Sequence, residues 1–255
     1  MANNDTIKKT VIVALALCIV CSLVVSTAAV LLKPAQEVNK SLDRKRNILA
    51  AAGLLEAGVS VEEQFKQVQP RLVDLDSGTF IDEPPAQYDP NQAARDPDTS
   101  IKLDRKADIA GLGRRENIAE VYLIQRDGKL DKVILPVRGY GLWSTLYGFL
   151  ALDSDLNTVV GLGFYEHAET PGLGGEVDNP RWKAQWPGKK IYEDGEVAIE
   201  LLKGTVDPKS PDAEHQVDGL AGATLTSRGV THLMQFWLGD MGYKTFLNNL
   251  QAGEA

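Results

Sequence analysis

The sequence contains very little cysteine or histidine, and this scarcity excludes several kinds of site. The two cysteines, Cys18 and Cys21, both lie in an N-terminal apolar segment. The rest of the chain therefore offers no disulfide framework, thiolate metal site or iron–sulfur ligation. The three histidines, His167, His215 and His232, are too widely scattered to indicate a metal site. We accordingly predict no bound metal.

Basic residues are outnumbered, and the sequence shows no familiar catalytic constellation. The 255 residues include 27 Lys and Arg against 35 Asp and Glu, which gives a formal net charge of −8. Nucleic-acid phosphates require a basic stripe, so this balance argues against a nucleic-acid partner. Neither a nucleophile elbow nor a Ser/His/Asp order is visible, and we predict no catalytic residue. Apolar residues make up 44% of the chain, which is enough for a core.

One long run without charge stands at the N-terminus, from Val11 to Leu32. At about 1.5 Å per residue it spans a bilayer core of roughly 30 Å. A cleaved signal peptide is the alternative, with small residues at 26–29, but the run continues past them. We predict an N-terminal membrane anchor at 1–33 and a soluble domain at 34–255, with a membrane-proximal stalk at 34–58. More basic residues follow the run than precede it, so the charge count does not favour export of the domain.

Local patterns predict the elements that follow the anchor. Residues 36–52 have the pattern of a polar helix that continues from the membrane. Ser60 and Glu63 have the spacing of a capping box, which predicts a short helix to about residue 68, stopped by Pro70. We expect a strand with a tight turn over 72–81 and a surface loop over 83–99.

The middle of the chain predicts strands, and the end predicts helices. Residues 119–125 and 130–137 flank Asp127-Gly128, which is a strong hairpin signal. Strands followed by C-terminal helices favour an α+β domain with an antiparallel sheet. The further predicted elements are strands at 149–152, 158–165 and 197–202, a short helix at 179–186, and helices at 226–239 and 243–250.

The stretch at 218–227 reads DGLAGATLTS and leads directly into a helical pattern. Two glycines precede three hydroxyl side chains, so a turn of small residues meets a helix N-terminus. The free N–H groups and the positive dipole end of such a helix suit a phosphate. A plain helix cap with a tight turn has the same pattern. Spacing alone does not choose among Thr224, Thr226 and Ser227.

This stretch resembles the Asp-Gly-x-Ser/Thr-Gly-Ala-Thr signature of the bacterial FMN-binding domain family, in which the last Thr carries FMN through a phosphoester bond. The resemblance implies that Thr224 carries covalent FMN. Ala221 stands where the family usually has Ser or Thr, so one hydroxyl is missing while the acceptor remains. The resemblance also places other cofactor-binding residues around the acceptor, namely Asp218, Gly222, Ala223, Leu225 and Thr226.

Two upstream stretches resemble segments of the same family. The sequence ETPGLGG at 169–175 is similar to a loop next to the flavin, although its pattern also fits an ordinary Gly/Pro loop. The sequence GYGLWSTLYGF at 139–149 is similar to the stretch beside the isoalloxazine, although its aromatics also suit a core. The implied roles are flavin contacts for Thr170, Gly172 and Leu173, a polar or loop-ordering role for Glu169, and ring contacts for Leu142, Trp143 and Ser144.

Two further residues beside these stretches have open roles. Arg138 could face the flavin phosphate, or it could be solvated or ion-paired. His167 precedes the 169–175 loop and could lie near the ligand.

Over nearly the whole chain, these features are similar to the C subunits of Na+-translocating NADH:quinone oxidoreductases. The resemblance implies an electron-carrying flavoprotein subunit of a membrane redox complex, matured by a separate flavin transferase that attaches FMN from FAD. It also implies a single-pass protein of the bacterial inner membrane with a periplasmic domain. The alternatives are the G subunit of the related Rnf complex, which shares the signature, and a non-redox membrane-anchored assembly module.

Overall fold

The computed structural model describes residues 6–82 and 88–255. Residues 83–87 of the predicted 83–99 loop therefore lie outside the described residues. The rest is not all loop, because a short helix forms over Pro90–Ala93, where the Asp89 side chain accepts the amide of Asn91. The chain divides into two compact units, Met1–Arg44 and Lys45–Ala255.

In chain order the helices are α1 (Ile7–Ala51), α2 (Val61–Phe65), α3 (Pro90–Ala93), α4 (Pro180–Lys183), α5 (Thr224–Leu238) and α6 (Lys244–Ala252). The first strands are β1 (Val68–Asp74), β2 (Thr79–Phe80), β3 (Ser100–Lys102), β4 (Arg114–Glu116), β5 (Ile118–Arg126) and β6 (Lys129–Tyr140). The remaining strands are β7 (Thr145–Asp153), β8 (Val159–Glu166), β9 (Tyr192–Glu193), β10 (Glu196–Val197), β11 (Glu200–Leu201) and β12 (Gln216–Val217).

Helix α1 contains the uncharged run and continues beyond it. It is 45 residues long, includes Pro34, and reaches a mean hydropathy of 2.8 over an 18-residue window. Its apolar side chains between Val11 and Leu32 are more than half exposed. Among the described helices, α1 alone is long and apolar enough to cross a membrane. It is consistent with a single-pass membrane anchor, and the predicted helix at 36–52 is confirmed as its continuation.

The second unit is built on an antiparallel sheet with the strand order β2-β1-β5-β6-β7-β8. The predicted hairpin joins β5 to β6, with φ of 52° at Asp127 and 73° at Gly128. Positive φ at both turn residues matches the right-handed twist of the flanking strands. The sheet and the helices that follow it confirm the predicted α+β class.

The two faces of the sheet pack against different ends of the chain. Because side chains alternate along a strand, Val133 and Leu135 of β6 point to one face and Ile134 to the other. Helices α5 and α6 cover the first face, where Leu233 and Trp237 are at most 1% exposed. The end of α1 covers the second face; the cluster there comprises Ile48, Leu49, Ala51, Ala52, Val68, Tyr122, Ile124, Ile134, Phe149 and Ala151.

Pro70 does not stop a helix, contrary to the prediction. Helix α2 ends at Phe65, and Pro70 lies within β1, opposite Tyr122 of β5. Strand β2 pairs with the last two residues of β1, so among the described strands Pro70 has β5 as its one neighbour. A residue without an N–H is tolerated at such an edge.

Other predicted boundaries also differ from the structure; the strand predicted at 149–152, for example, is the longer β7. The strand predicted at 197–202 is broken, because the amides of Ala198 and Ile199 both donate to the carbonyl of Ile191, and the chain changes strand partner there. The short helix at 179–186 ends earlier, as α4. Helix α5 begins at Thr224, two residues before its predicted start.

Candidate functional site

The turn before α5 depends on backbone that only glycine adopts easily. Gly222 has a φ of +72°, and a Cβ placed on it would lie 2.9 Å from Leu173 Cδ2. Ala223 follows as the N-cap and provides no side-chain cap. The first helical hydrogen bond runs from the amide of Ser227 to the carbonyl of Ala223. The amides of residues 224–226 precede that bond and point out of the helix start.

The three hydroxyls of this turn have different environments. Ser227 Oγ accepts the amide of Leu220 at 2.9 Å and donates to the carbonyl of Ala223 at 3.1 Å. Thr226 is fully buried, and its Oγ1 donates to Glu169 Oε2 at 2.7 Å. Thr224 is exposed, and its hydroxyl has no hydrogen-bond partner among the described residues. Only Thr224 therefore offers an accessible, uncommitted oxygen.

Glu169 connects this helix start to the turn between β6 and β7. Its Oε1 accepts the successive backbone amides of Leu142, Trp143 and Ser144 at 3.0, 2.9 and 3.2 Å. The residue is only 5% exposed. Burial alone raises the pKa of the carboxyl, but the hydrogen bonds from Thr226 and the three amides outweigh it and lower the pKa. Glu169 is thus a buried, ionised and fully hydrogen-bonded group.

Exposed apolar side chains project from each of the three segments that Glu169 brings together. Trp143 in the β6–β7 turn is 66% exposed, Leu173 in the 169–175 loop is 44% exposed, and Leu225 on α5 is 45% exposed. Leu142 is half-buried beside Trp143. Large apolar groups exposed on segments that meet in this way indicate a surface that binds a ligand or a partner.

A cavity of about 610 Å³ opens beside the turn that precedes α5. Thr224 and Arg228, one helical turn apart on α5, both line it. The turn at 218–222, the segment after β11 and the residues around α4 form its other walls. The lining residues there include Gln185, Leu202, Lys203, Gly204, Thr205 and Gly222.

Asp218 holds the signature turn in place and does not cap α5. Its carboxylate accepts the amide of Val206 at 2.8 Å, and its carbonyl accepts Trp182 Nε1 at 2.9 Å. Its own amide donates to Gln185 Oε1 at 3.1 Å. The amide of the adjacent Gly219 donates a hydrogen bond to the carbonyl of Gly204. The turn therefore packs closely against the 202–206 segment.

Arg138 and His167, whose roles the sequence left open, have partners in the protein. Arg138 forms a bidentate ion pair with Glu116, whose side chain is 4% exposed. Of the roles left open for Arg138, the structure therefore shows the ion pair. His167 Nε2 lies 2.8 Å from Asp178 Oδ2, and its Nδ1 accepts the amide of Glu169 at 3.2 Å. His167 therefore helps to fix the start of the 169–175 loop through these two contacts. No group of three metal-ligating side chains occurs in the described ranges 6–82 and 88–255.

The segments that form this site fall within a recognised domain. Residues 141–239 match the FMN-binding domain family. The chain is 57% identical to the C subunit of the Na(+)-translocating NADH-quinone reductase of Pseudomonas aeruginosa, over 100% of both chains. It is 49% identical to the corresponding C subunit of Yersinia pestis, over 98% of this chain and 96% of that one. The chain belongs to this family of C subunits.

Solved structures of the family share the fold. The crystal structure of Shewanella oneidensis NqrC has a TM-score of 0.75 and 40% identity, covering 82% of this chain and 97% of that chain. The C subunit from Parabacteroides distasonis has a TM-score of 0.63 and 29% identity, covering 85% of this chain and 96% of that chain. These relatives favour the C subunit over the Rnf G subunit.

The structure brings the predicted family residues together and adds others that sequence reasoning missed. The 142–144 turn, the 169–173 loop and the 222–226 turn converge. Asp218 lines the cavity beside Thr224 and is hydrogen-bonded to Trp182 and Val206. Arg228 and Lys203 at the cavity were missed. The four-residue spacing from Thr224 could have indicated Arg228, but no local signal indicates Lys203, because the pairing of β11 with β12 brings it to the cavity.

Proposed function

We propose that Thr224 carries FMN through a phosphoester bond to Oγ1, and that this subunit passes electrons within a Na+-translocating NADH-quinone reductase. The observation that supports this proposal is that the three hydroxyls near the start of α5 differ in burial and in hydrogen bonding. Thr226 and Ser227 are buried and committed to hydrogen bonds, whereas Thr224 is exposed beside a cavity of about 610 Å³. A bulky cofactor can reach Thr224 without unfolding the turn.

The surroundings of Thr224 fit a phosphodiester. The amides at 224–226 have no helical acceptor, and the N-cap Ala223 provides no side-chain substitute. The positive end of α5 stabilises one negative charge by about 0.3–1 kcal/mol, and by more when partly buried. Arg228 adds a positive charge on the same cavity wall. Gly222 keeps side-chain atoms away from the backbone that approaches the phosphate.

The remaining predicted residues fit a flavin ring with one apolar edge and one polar edge. Leu142, Trp143, Leu173 and Leu225 offer apolar surface for packing. Thr170 is exposed, and its carbonyl anchors the loop by accepting the amides of Leu173 and Gly175. Gly172, with a φ of +73°, lets that loop turn sharply. The Ser144 hydroxyl accepts the amide of Ala168 and keeps its own proton for donation.

Attachment of the cofactor needs a partner enzyme and a defined bond exchange. We infer that a flavin transferase breaks the diphosphate of FAD, joins the FMN phosphorus to Thr224 Oγ1, and releases AMP together with the hydroxyl proton. The attached flavin supplies the one- and two-electron chemistry, and the protein sets its position and environment. Donor and acceptor groups would lie in other subunits of the complex, since the relatives are named as one subunit of a larger reductase.

The proposed location follows from the anchor and the family. We place residues 1–33 across the bacterial inner membrane, residues 34–58 as a membrane-proximal stalk, and the soluble domain 34–255 in the periplasm. The apolar surface of α1 supports the membrane assignment. Labelling of a cysteine introduced at exposed Asp194 with a membrane-impermeant reagent, applied to intact cells, tests the periplasmic side.

A denaturing gel viewed under ultraviolet light tests the function, because only a covalent flavin fluoresces at the protein band. Full-length protein co-expressed with the transferase should fluoresce, and Thr224→Val should not, since valine keeps the shape but lacks the oxygen. Ser227→Ala is the matched control and should still fluoresce. A dark parent protein would favour the non-redox assembly module, and a fluorescent Thr224→Val would move the attachment to a neighbouring hydroxyl.

A further inference from the structure

Two glycines make room for the Glu169 carboxylate. A Cβ placed on Gly141 would lie 2.6 Å from Glu169 Oε1, and one placed on Gly174 would lie 2.6 Å from both Glu169 Oε2 and Thr226 Oγ1. Contacts this short are not possible for a real side chain, so each carboxylate oxygen occupies space that a glycine leaves open. The β6–β7 turn and the 169–175 loop are therefore shaped around this one group.

Helix α5 also docks directly on the β6–β7 turn. A Cβ placed on Gly229 would lie 2.5 Å from the carbonyl oxygen of Tyr140 and 3.0 Å from Gly141 Cα. The helix and the turn thus meet directly at Gly229, and the 169–175 loop is joined to both through the Glu169 carboxylate. His167 ties the loop further, because it accepts the amide of Glu169 and pairs with Asp178.

The ionised form of Glu169 is what this arrangement requires. One oxygen accepts three successive backbone amides, and the other accepts the Thr226 hydroxyl. Hydrogen bonds to a charged acceptor are roughly twice as strong as those between neutral groups. A glutamine has the same shape, but its single neutral oxygen binds the three amides more weakly, and its NH2 group would face the Thr226 hydroxyl.

We propose that Glu169 is a positioning residue whose contacts with Thr226 and the 142–144 amides hold the flavin carried by Thr224 in one orientation. The proposal rests on the proposed function. The Glu169 carboxylate forms its hydrogen bonds with Leu142, Trp143, Ser144 and Thr226 and none with the Thr224 hydroxyl, so attachment and orientation are separable. Without the Glu169 contacts, Trp143 and Leu173 lose their fixed placement relative to α5, and the flavin becomes mobile on its covalent tether.

The test measures the mobility of the attached flavin in full-length protein purified in detergent. Glu169→Gln and Thr226→Val should keep the flavin-to-protein ratio of the parent, with lower flavin fluorescence anisotropy and a larger iodide quenching constant. Thr226→Ser is the matched control, because it keeps the hydroxyl and should restore the parent's anisotropy. Thermal unfolding of each variant establishes that it is folded.

The possible outcomes separate this proposal from the proposed function. Parental anisotropy and quenching in Thr226→Val would overturn the positioning role even if Glu169→Gln failed to fold. Loss of flavin loading in folded Thr226→Val, with loading retained in Thr226→Ser, would also overturn it, since the hydroxyl would then act in attachment. A parent protein without covalent flavin would instead contradict the proposed function itself.

Discussion

At the scale of single residues, Gly222 and Ala221 are neighbours in the turn before α5 and have different constraints. Gly222 has a φ of +72°, which strains any residue with a side chain, and a Cβ there would also displace the end of the Leu173 side chain. Ala221 is exposed, and its side chain is not confined in this way. The departure from the family signature therefore falls at the position that can accept it.

We expect Gly222→Val to lower flavin loading more than it lowers stability. The positive φ costs a side-chain-bearing residue about 1–2 kcal/mol, and relief of that strain moves the backbone beside Thr224. Ala221→Ser is the control and should load at least as well as the parent. The measurement is the flavin-to-protein ratio, compared with the thermal unfolding midpoint. Full loading of Gly222→Val would refute the need for close approach of the backbone.

The charge of Glu169 predicts a pH dependence of stability. Burial raises the pKa of this carboxyl, but the hydrogen bonds from Thr226, Trp143, Leu142 and Ser144 lower it further than burial raises it. Because the folded-state pKa lies below the unfolded-state pKa, the contribution is complete above glutamate's ordinary pKa of about 4.3. It is lost as the pH falls through the lower folded-state pKa.

Urea unfolding of the parent and Glu169→Gln across pH measures this contribution. The difference in unfolding free energy should be largest near neutral pH and should shrink in acid, where the parent's carboxylate becomes protonated. A difference that stays constant from about pH 7 to about pH 3 would show that the charge of Glu169 does not contribute to folding.

At the scale of elements, the end of α1 belongs to the folded core of the second unit. Ile48 and Leu49 are at most 1% exposed and pack with Ile134, Phe149 and Ala151 on the sheet face opposite α5. A Cβ placed on Gly161 of β8 would lie 2.5 Å from the carbonyl of Ala51, so the helix end and strand are in direct contact. The last turn of α1 is therefore a structural element of the domain.

We expect Leu49→Ala to destabilise the second unit by about 2–5 kcal/mol, the usual cost of truncating a fully buried leucine. Val38→Ala on the same helix is the control, because Val38 is 59% exposed, and its change should stay within about 0.5 kcal/mol. Urea unfolding of residues 34–255 measures both. Equal midpoints for the two variants would mean that the helix end does not pack on the sheet in solution.

At the scale of the whole molecule, we expect the anchor to be removable only by truncations that keep the end of α1. Removal of residues 1–33 should give a soluble, folded protein, because the buried clusters contain only residues after 47. Removal of residues 1–53 deletes the end of α1 and exposes apolar side chains of the sheet, and that protein should aggregate. Size-exclusion chromatography compares the two, and a monomeric 54–255 fragment would contradict this division.

The sequence by itself determined the features that depend on local pattern. The uncharged run predicted the hydrophobic part of α1, and Asp127-Gly128 predicted the β5–β6 hairpin. The order of strands and helices predicted the α+β class, and the 218–227 stretch indicated the family. Helical periodicity, strand alternation and turn chemistry are all encoded within a few neighbouring residues, so they can be read without knowledge of the fold.

Only the tertiary structure decided which hydroxyl is free of hydrogen bonds and which groups Glu169 binds. Glu169 and Thr226 are 57 positions apart, and Arg138 and Glu116 are 22 apart, so no local spacing predicts either contact. The same holds for the break at Ala198, where the chain exchanges one strand partner for another. Side-chain hydrogen bonds between distant segments depend on how the sheet and α5 pack, and that packing exists only once the whole domain has folded.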